Sequence, residues 1–378
     1  MLVLASAAPT ARAGPLTVGA YYYAWYGSGG AHWKLGYVRS QLDTPQRPVL
    51  GEYNSRDPAV IAQHYAWAHR FGVDVFFCSW RGPGSYDDVT IREHLLRSPA
   101  RGPTRIALLY ESLERLGLGS DDRIHLDDAT VATLLADIDY LARTYFRDPA
   151  YYRIDGRPVL VLYASRIFRG PVAETIAALR ERARAAGVEL YLVGDEVDWD
   201  LPPDRERVRL FDAVTGYTLY SRTQPAGWPS RTRFVQAVGA KERDFRRVAA
   251  EEGVAFVPGA LPGFNDRGVR PEADHYVLPQ RVDDASSPDS LFAESLELAG
   301  TLVDPSLRLL TVTSWNEWHE DTQIEPTAPA SSSSGPDKAT EGYSTSSYGL
   351  ALLRRLALFE QAWERGFRSP LRGRVRPV

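Results

Sequence analysis

The sequence predicts an α/β protein, a single (β/α)8 TIM barrel with long βα loops. Three observations predict it. Eight short apolar runs alternate with helical patterns along the chain. Some of these runs, such as VDVFFCSW at Val73–Trp80, are apolar on both faces, as parallel barrel strands are. The length of 378 residues, 44% hydrophobic, suits one barrel with elaborated loops, whose core is large enough to need neither disulfides nor a structural metal.

The first strand is expected at Thr17–Ala24 (TVGAYYYA). A helix follows at Pro58–Phe71, with Asp57 as N-cap, Pro58 at the first helical position and Gly72 ending it. The second strand is Val73–Trp80 and the third Arg105–Glu111. A helix over Asp128–Tyr145 leads to the fourth strand, Pro158–Tyr163, and a helix over Val172–Ala186 to the fifth, Glu189–Asp195. Ala213–Tyr217 is a short sixth strand. The helix Arg231–Glu252 precedes the seventh, Ala255–Gly259, and the helix Ser290–Val303 precedes the eighth, Leu309–Trp315. An amphipathic helix over Tyr348–Arg365 closes the order.

A doubly wound open sheet is the competing architecture. It usually carries a glycine-rich phosphate fingerprint after its first strand, whereas here that strand runs into Tyr-Ala-Trp-Tyr-Gly. No Walker-type loop, GxSxG elbow or metal-spaced His/Cys cluster is present. Gly27–Ser55 and Thr327–Ser347 read as long loops inside one domain, not as linkers. The barrel domain is expected over residues 16–378.

Residues 1–15 (MLVLASAAPTARAGP) resemble the end of a signal peptide, with a small-x-small site at Ala11-Arg12-Ala13 but no basic n-region. A disordered tail is the alternative. Export to the periplasm or medium is the expectation, with a cytoplasmic location as the other reading. No stretch approaches the ~20 apolar residues that span a bilayer. Net charge is −4 with no basic stripe, which argues against nucleic acid as a partner. The single cysteine, Cys78, lies in an apolar run and reads as a small buried hydrophobe. A monomer acting on an oligosaccharide or polysaccharide, without a metal or other cofactor, is expected.

The active site of such a barrel lies at the C-terminal ends of its strands, so those ends constitute a site search. They offer Tyr22, Tyr23 and Trp25, then Trp80, Glu111, Tyr163, Asp195 and Tyr217. After the eighth strand come Trp315, Asn316, Glu317, Trp318, His319 and Glu320. Carboxylates gathered among aromatics suit carbohydrate chemistry, since aromatic faces stack on sugar rings and carboxyls act as acid and base. Aromatics also simply fill barrel cores. Glu317 and Glu320 lie on one side if the chain turns helically after the strand. Like charges close together beside tryptophans push one pKa up, leaving one carboxyl as acid and the other as base. The plain alternative is a pair of solvent-facing helix glutamates.

These stretches resemble glycoside hydrolase family 99, the endo-α-1,2-mannosidase and endo-α-1,2-mannanase family. The resemblance runs from about Val18 to the last helix. It is carried by Tyr21-Tyr-Tyr-Ala-Trp-Tyr26, His32-Trp33, Pro48, Gly51, Tyr53, Ser55-Arg-Asp-Pro58, Ile61 and His64. Gly72, Asp74, Phe77 and Ser79-Trp80 continue it. The thirteen residues Ser314-Trp-Asn-Glu-Trp-His-Glu-Asp-Thr-Gln-Ile-Glu-Pro326 are its most specific part.

The resemblance implies a retaining endo-glycosidase without a metal, in which Glu317 is the base towards the substrate's own 2-hydroxyl. That oxygen attacks the anomeric carbon to give a 1,2-anhydro sugar, and Glu320 is the acid/base. It also implies substrate contacts from Glu111, Tyr163 and Tyr217, with Tyr22, Tyr23 and Trp25 around the sugar being cleaved. Asp195 and His32 are further candidates; His319 is expected to orient a partner or bind substrate, and His64 to be structural. The chain departs from the family pattern at Arg81, Ser112 and Asp321, and Arg81 suggests an anionic glycan. A glycan-binding or polysaccharide-biosynthesis relative is the competing function. A sugar-phosphate barrel enzyme is a third reading, opposed by the lack of a glycine-rich phosphate cup.

Overall fold

The computed structural model describes residues 15–28, 32–33, 46–217, 230–266, 269–270, 277–283, 285–329 and 347–366. The signal-like segment at 1–14 and much of the two long loops lie outside the described residues. Eight parallel strands close into a barrel: Thr17–Tyr22, Val75–Trp80, Arg105–Tyr110, Arg157–Leu162, Tyr191–Asp195, Ala213–Thr215, a seventh in two pieces, and Leu309–Val312.

Pro258 explains the split seventh strand. It has no N–H to give to a ladder. Ala255–Val257 pairs with the sixth strand, and after Pro258 the pair Gly259–Ala260 pairs with the eighth. The Pro258 carbonyl still accepts from Thr311 N at 3.0 Å, so the ring is joined there. The first strand completes it, with Gly19 opposite both Thr311 and Val75. Gly19 has no alternative: a Cβ there would sit 2.2 Å from the Phe77 ring inside the barrel.

Helices follow the strands as expected. Pro58–Phe71 is capped by Asp57, whose side chain accepts from Ala59 N, and stops at Gly72 with φ of 81°. Asp128–Thr144, Val172–Ala185, Arg231–Glu251, Ser290–Leu302 and Ala351–Glu364 are the other long ones. Short helical segments are additions to the sequence reading: Tyr86–Val89 continuing as a π-helical turn over Thr90–Leu95, Ser112–Leu116 and Arg205–Val208, with single 3-10 turns at Pro99–Arg101 and Ser165–Ile167. They lack the length over which a 3.6-residue period is visible. No described helix is long and apolar enough to cross a membrane.

The alternation of strand side chains fixes what reaches the barrel mouth. On the first strand and its extension, Gly19, Tyr21 and Tyr23 share the inner face. Tyr21 lies 5.9 Å from Phe77 and 4.9 Å from Tyr217 by ring centroids. Tyr22 points the other way, into the layer between strands and helices, where it meets Phe76 and His64.

Candidate active site

After Val312 the chain leaves the barrel in a tight turn, not the helical turn expected from the sequence. Trp318 N donates to Asn316 O at 3.1 Å and Thr322 N to Glu317 O at 3.3 Å. Asp321 closes the turn with φ of 52°, a left-handed conformation that aspartate tolerates better than most residues with a Cβ. The turn places Glu317 and Glu320 in one electrostatic neighbourhood at the C-terminal mouth of the barrel. Their residues are 3% and 8% exposed.

Burial and the charge of Glu320 push the Glu317 carboxyl well above the usual carboxylate range. Its Oε1 accepts from the backbone of His319 at 2.8 Å, and the imidazole Nδ1 stands 3.7 Å away. Glu320 Oε1 is held at 2.8 Å by Arg270, which also bonds Asp266 Oδ2 at 2.9 Å. The Glu320 carbonyl accepts from Asn265 N at 2.7 Å, tying this turn to the loop after the seventh strand.

Around the pair stand Glu111, Tyr23 and Tyr217. The hydroxyls of Tyr23 and Tyr217 hydrogen-bond each other. Both phenols are buried and both feel Glu317 and Glu320, which with burial keep them firmly protonated. Burial raises Glu111 to about 8, helped by Glu114 and Asp87 and opposed by the Ser79 hydroxyl, which donates to its Oε1 at 2.8 Å. Burial thus favours the protonated form of Glu111, which can donate a hydrogen bond. Tyr163 borders the group, its ring 5.0 Å from that of Tyr217.

An aromatic stack forms one rim. Tyr23 and Trp25 lie 4.4 Å apart, and His32 stacks on Trp25 at 4.1 Å and meets His319 edge-on at 4.5 Å. Burial, His319 and Arg81 lower the His32 pKa to about 3, so its imidazole is neutral. The Arg81 guanidinium lies 5.2 Å from the Trp25 ring. Its charge is shared with Asp87 at 3.2 Å and Glu114 at 3.3 Å. Ser112 is buried at the start of a short helix, its hydroxyl 3.4 Å from Tyr110 O.

Five residues expected to face the substrate lie elsewhere. Tyr22, Trp80 and Trp315 occupy the layer behind the barrel wall, because each sits on the outward side of the strand alternation or its continuation. Tyr22 bonds His64 Nδ1 at 3.0 Å, Trp80 Nε1 donates to Asp88 at 2.7 Å, and Trp315 packs on Phe76 at 5.0 Å. Asp195 is fully buried: it accepts from Tyr217 N at 2.9 Å and Ala164 N at 2.8 Å, and pairs with Arg166. Asn316 spends its amide on the backbone of Tyr23 and the hydroxyl of Tyr53. Asp195 and Asn316 position the tyrosines of the site instead of lining it.

Sequence reasoning missed Arg270 and Asp266, which sit in a loop with no recognisable spacing. It also left out Ser79, which strict alternation along Val75–Trp80 places on the inner face. Behind the site lies a buried carboxylate, Glu325. It accepts from Tyr53 Oη at 2.8 Å and Trp318 Nε1 at 2.7 Å, and meets His64 Nε2 at 3.0 Å. With Nε2–H donating there, His64 Nδ1 accepts from Tyr22.

The model of glycosyl hydrolase family 99 matches residues 38–340. A glycoprotein endo-α-1,2-mannosidase of Mus musculus is 25% identical over 346 residues, covering 82% of this chain and 68% of that protein. The uncharacterized protein WxcX of Xanthomonas campestris pv. campestris is 25% identical over 324 residues, covering 81% of this chain and 45% of its own length. Among solved structures, a family 99 endo-α-mannosidase from Bacteroides thetaiotaomicron superimposes with a TM-score of 0.63 at 20% identity, covering 92% of this chain and 97% of that one. A glycoside hydrolase-like protein superimposes with a TM-score of 0.68 at 18% identity, covering 94% and 97%. At such identities the structural likeness speaks for the fold.

Proposed function

The chain belongs to glycosyl hydrolase family 99 and is a glycoside hydrolase, and from that premise we propose that it cleaves inside α-linked, manno-configured glycans with retention of configuration. The observation that carries this reading is the Glu317–Glu320 pair, buried together on one turn at the barrel mouth. The named mannosidase relatives support the choice of sugar.

In the proposed scheme the Glu317 carboxylate takes the proton of the 2-hydroxyl. That oxygen attacks C1, the bond from C1 to the leaving oxygen breaks, and Glu320 protonates the leaving oxygen. Glu320 then deprotonates a water that attacks C1. The C1–O2 bond of the 1,2-anhydro sugar opens and O2 recovers its proton from Glu317. Two inversions give net retention. A manno 2-hydroxyl is axial and can lie opposite the leaving group, so no carboxylate need attack C1 itself, unlike the common retaining scheme.

The resting electrostatics set one requirement on this scheme. Arg270 pairs with Glu320, while burial and Glu320 favour a proton on Glu317. The working arrangement is the reverse, so substrate entry has to draw Arg270 off Glu320 and let the proton shift. Exposure of half the Arg270 side chain leaves it room to move.

The test is the stereochemistry of the first product from an α-linked manno-oligosaccharide, followed by proton NMR. An initial α-anomer is expected. An initial β-anomer contradicts double displacement, and hydrolysis of an unrelated glycan in place of a mannoside overturns the sugar assignment.

A further inference from the structure

A cavity borders Tyr163, and its lining includes neither Glu317 nor Glu320. It has a volume of about 270 Å³, just below the ~300–1,000 Å³ of small-molecule sites. Its lining comes from the loops after the third, fourth and fifth strands and includes Leu118, Arg123, Tyr163, Arg166, Asp198 and Trp199. The path from the carboxylates is short: Glu317 and Glu320 act on Tyr217, the Tyr217 ring meets Tyr163 at 5.0 Å, and Tyr163 forms the cavity wall.

The wall is built with care. Ala164, directly after Tyr163, is held at φ of 51°, a conformation a residue with a Cβ rarely adopts. The buried Asp195 carboxylate fixes it, accepting from Ala164 N at 2.8 Å while pairing with Arg166 of the cavity lining. The same carboxylate accepts from Tyr217 N at 2.9 Å. One buried aspartate thus sets both the tyrosine of the catalytic basin and the tyrosine of the cavity wall. Non-glycine residues kept in such conformations cluster at binding sites.

We propose that this cavity is a distal sugar subsite, holding a neutral hexose of the same glycan beyond the unit bound at Glu317 and Glu320. The chemistry of the lining selects a neutral unit. Asp122, Asp198 and Asp200 would repel a uronate, the Arg166 charge is met by Asp195, and Arg123 offsets part of the remaining negative charge. What remains is a mixture of carboxylate acceptors and guanidinium donors for hydroxyls. The rings of Tyr163 and Trp199 add apolar faces for the sugar's C–H side.

The inference rests on the glycosidase reading above for its ligand class, and two readouts separate the failure of one from the other. Binding of manno- and gluco-oligosaccharides, from disaccharide to hexasaccharide, is measured on Glu317→Gln protein, and cleavage on active enzyme. Each is repeated with Trp199→Ala and with Leu118→Arg, which narrows the cavity from an exposed position and leaves the Trp199 packing against Phe234 intact. Affinity and kcat/KM are expected to rise about 10-fold at the chain length that first reaches the cavity, the size of one aromatic contact. Both substitutions are expected to remove that step while leaving the shortest ligand unchanged. A step that survives Leu118→Arg overturns the subsite, as does the absence of any step in the unsubstituted protein. If no mannoside is cleaved but a step in gluco-oligosaccharide binding depends on Trp199, the mannoside reading falls and the subsite stands.

Discussion

The side-chain amide of Asn316 grips the backbone of Tyr23 from both sides. Tyr23 N donates to Oδ1 at 2.7 Å and Nδ2 donates to Tyr23 O at 2.9 Å, so an asparagine closes the gap between the first and eighth strands where both ladders have ended. Nδ2 also donates to Tyr53 Oη at 3.0 Å, whose own hydroxyl proton goes to Glu325. The phenol of Tyr23 and the carboxyl of Glu317 are thereby registered to each other by one residue that touches neither reacting group.

Asn316→Asp is therefore expected to harm turnover more than binding. It replaces a buried donor with an acceptor against two oxygens, at a cost of about 1–3 kcal/mol. A fall in Tm together with a roughly 10- to 100-fold loss of kcat at nearly constant KM is expected. A KM effect with kcat preserved would return Asn316 to the substrate-binding residues.

The two glutamates are separable by leaving group. Glu320→Gln is expected to cost roughly 10²–10⁴-fold on a natural glycan. Much of that loss should disappear in the first step on a glycosyl fluoride, which departs with little protonation. Glu317→Gln should stay slow on both. Equal glycan-to-fluoride ratios for the two variants remove the division of roles.

Glu111, raised to about 8 chiefly by burial, should make substrate binding weaken as pH climbs through that value. Below it the carboxyl is neutral and can donate to a hydroxyl; above it a buried charge appears. In a plot of kcat/KM against pH, Glu111→Gln should lose the alkaline limb near that value while keeping more activity than Glu111→Ala. An unchanged alkaline limb in Glu111→Gln assigns the titration to another group.

Stability should fall with rising pH because of Glu242. This fully buried carboxyl accepts from Gly259 N at 3.0 Å beside the broken seventh strand, and burial raises it to about 8. The unfolded chain titrates near 4.3, so the folded state binds the extra proton between these values. The associated stability is complete below the unfolded value, falls progressively as pH rises from there, and is fully lost once pH has passed through about 8. Glu242→Gln keeps the acceptor without the charge. Its Tm should lie nearest the parent's below about pH 4 and exceed it increasingly up to pH 9, by an amount equivalent to a few kcal/mol. Parallel Tm curves for the two proteins would show that Glu242 does not titrate in this range.

The strand runs, the capped helix at Pro58–Phe71 and the stretch carrying Glu317 and Glu320 were all legible in the sequence, though the conformation of that stretch was not. Each depends on short-range pattern: apolar runs, a cap with its stop signal, and two acids among aromatics. The order of strand and helix was enough to name the barrel, and the barrel was enough to say which strand ends meet. What needed the tertiary structure was the direction of individual side chains. Tyr22 and Tyr23 are adjacent and chemically identical, yet one is sealed against His64 and the other faces Glu317, because consecutive strand residues point to opposite faces and register decides which face is inner. Trp80 and Ser79 reverse expectation for the same reason. Arg270 on Glu320 and the Asp195 contacts to Ala164 and Tyr217 join segments far apart in the chain, and no local pattern encodes such a meeting. The raised pKa values of Glu317 and Glu111 come from burial among those partners, so they too exist only once the barrel has closed around them.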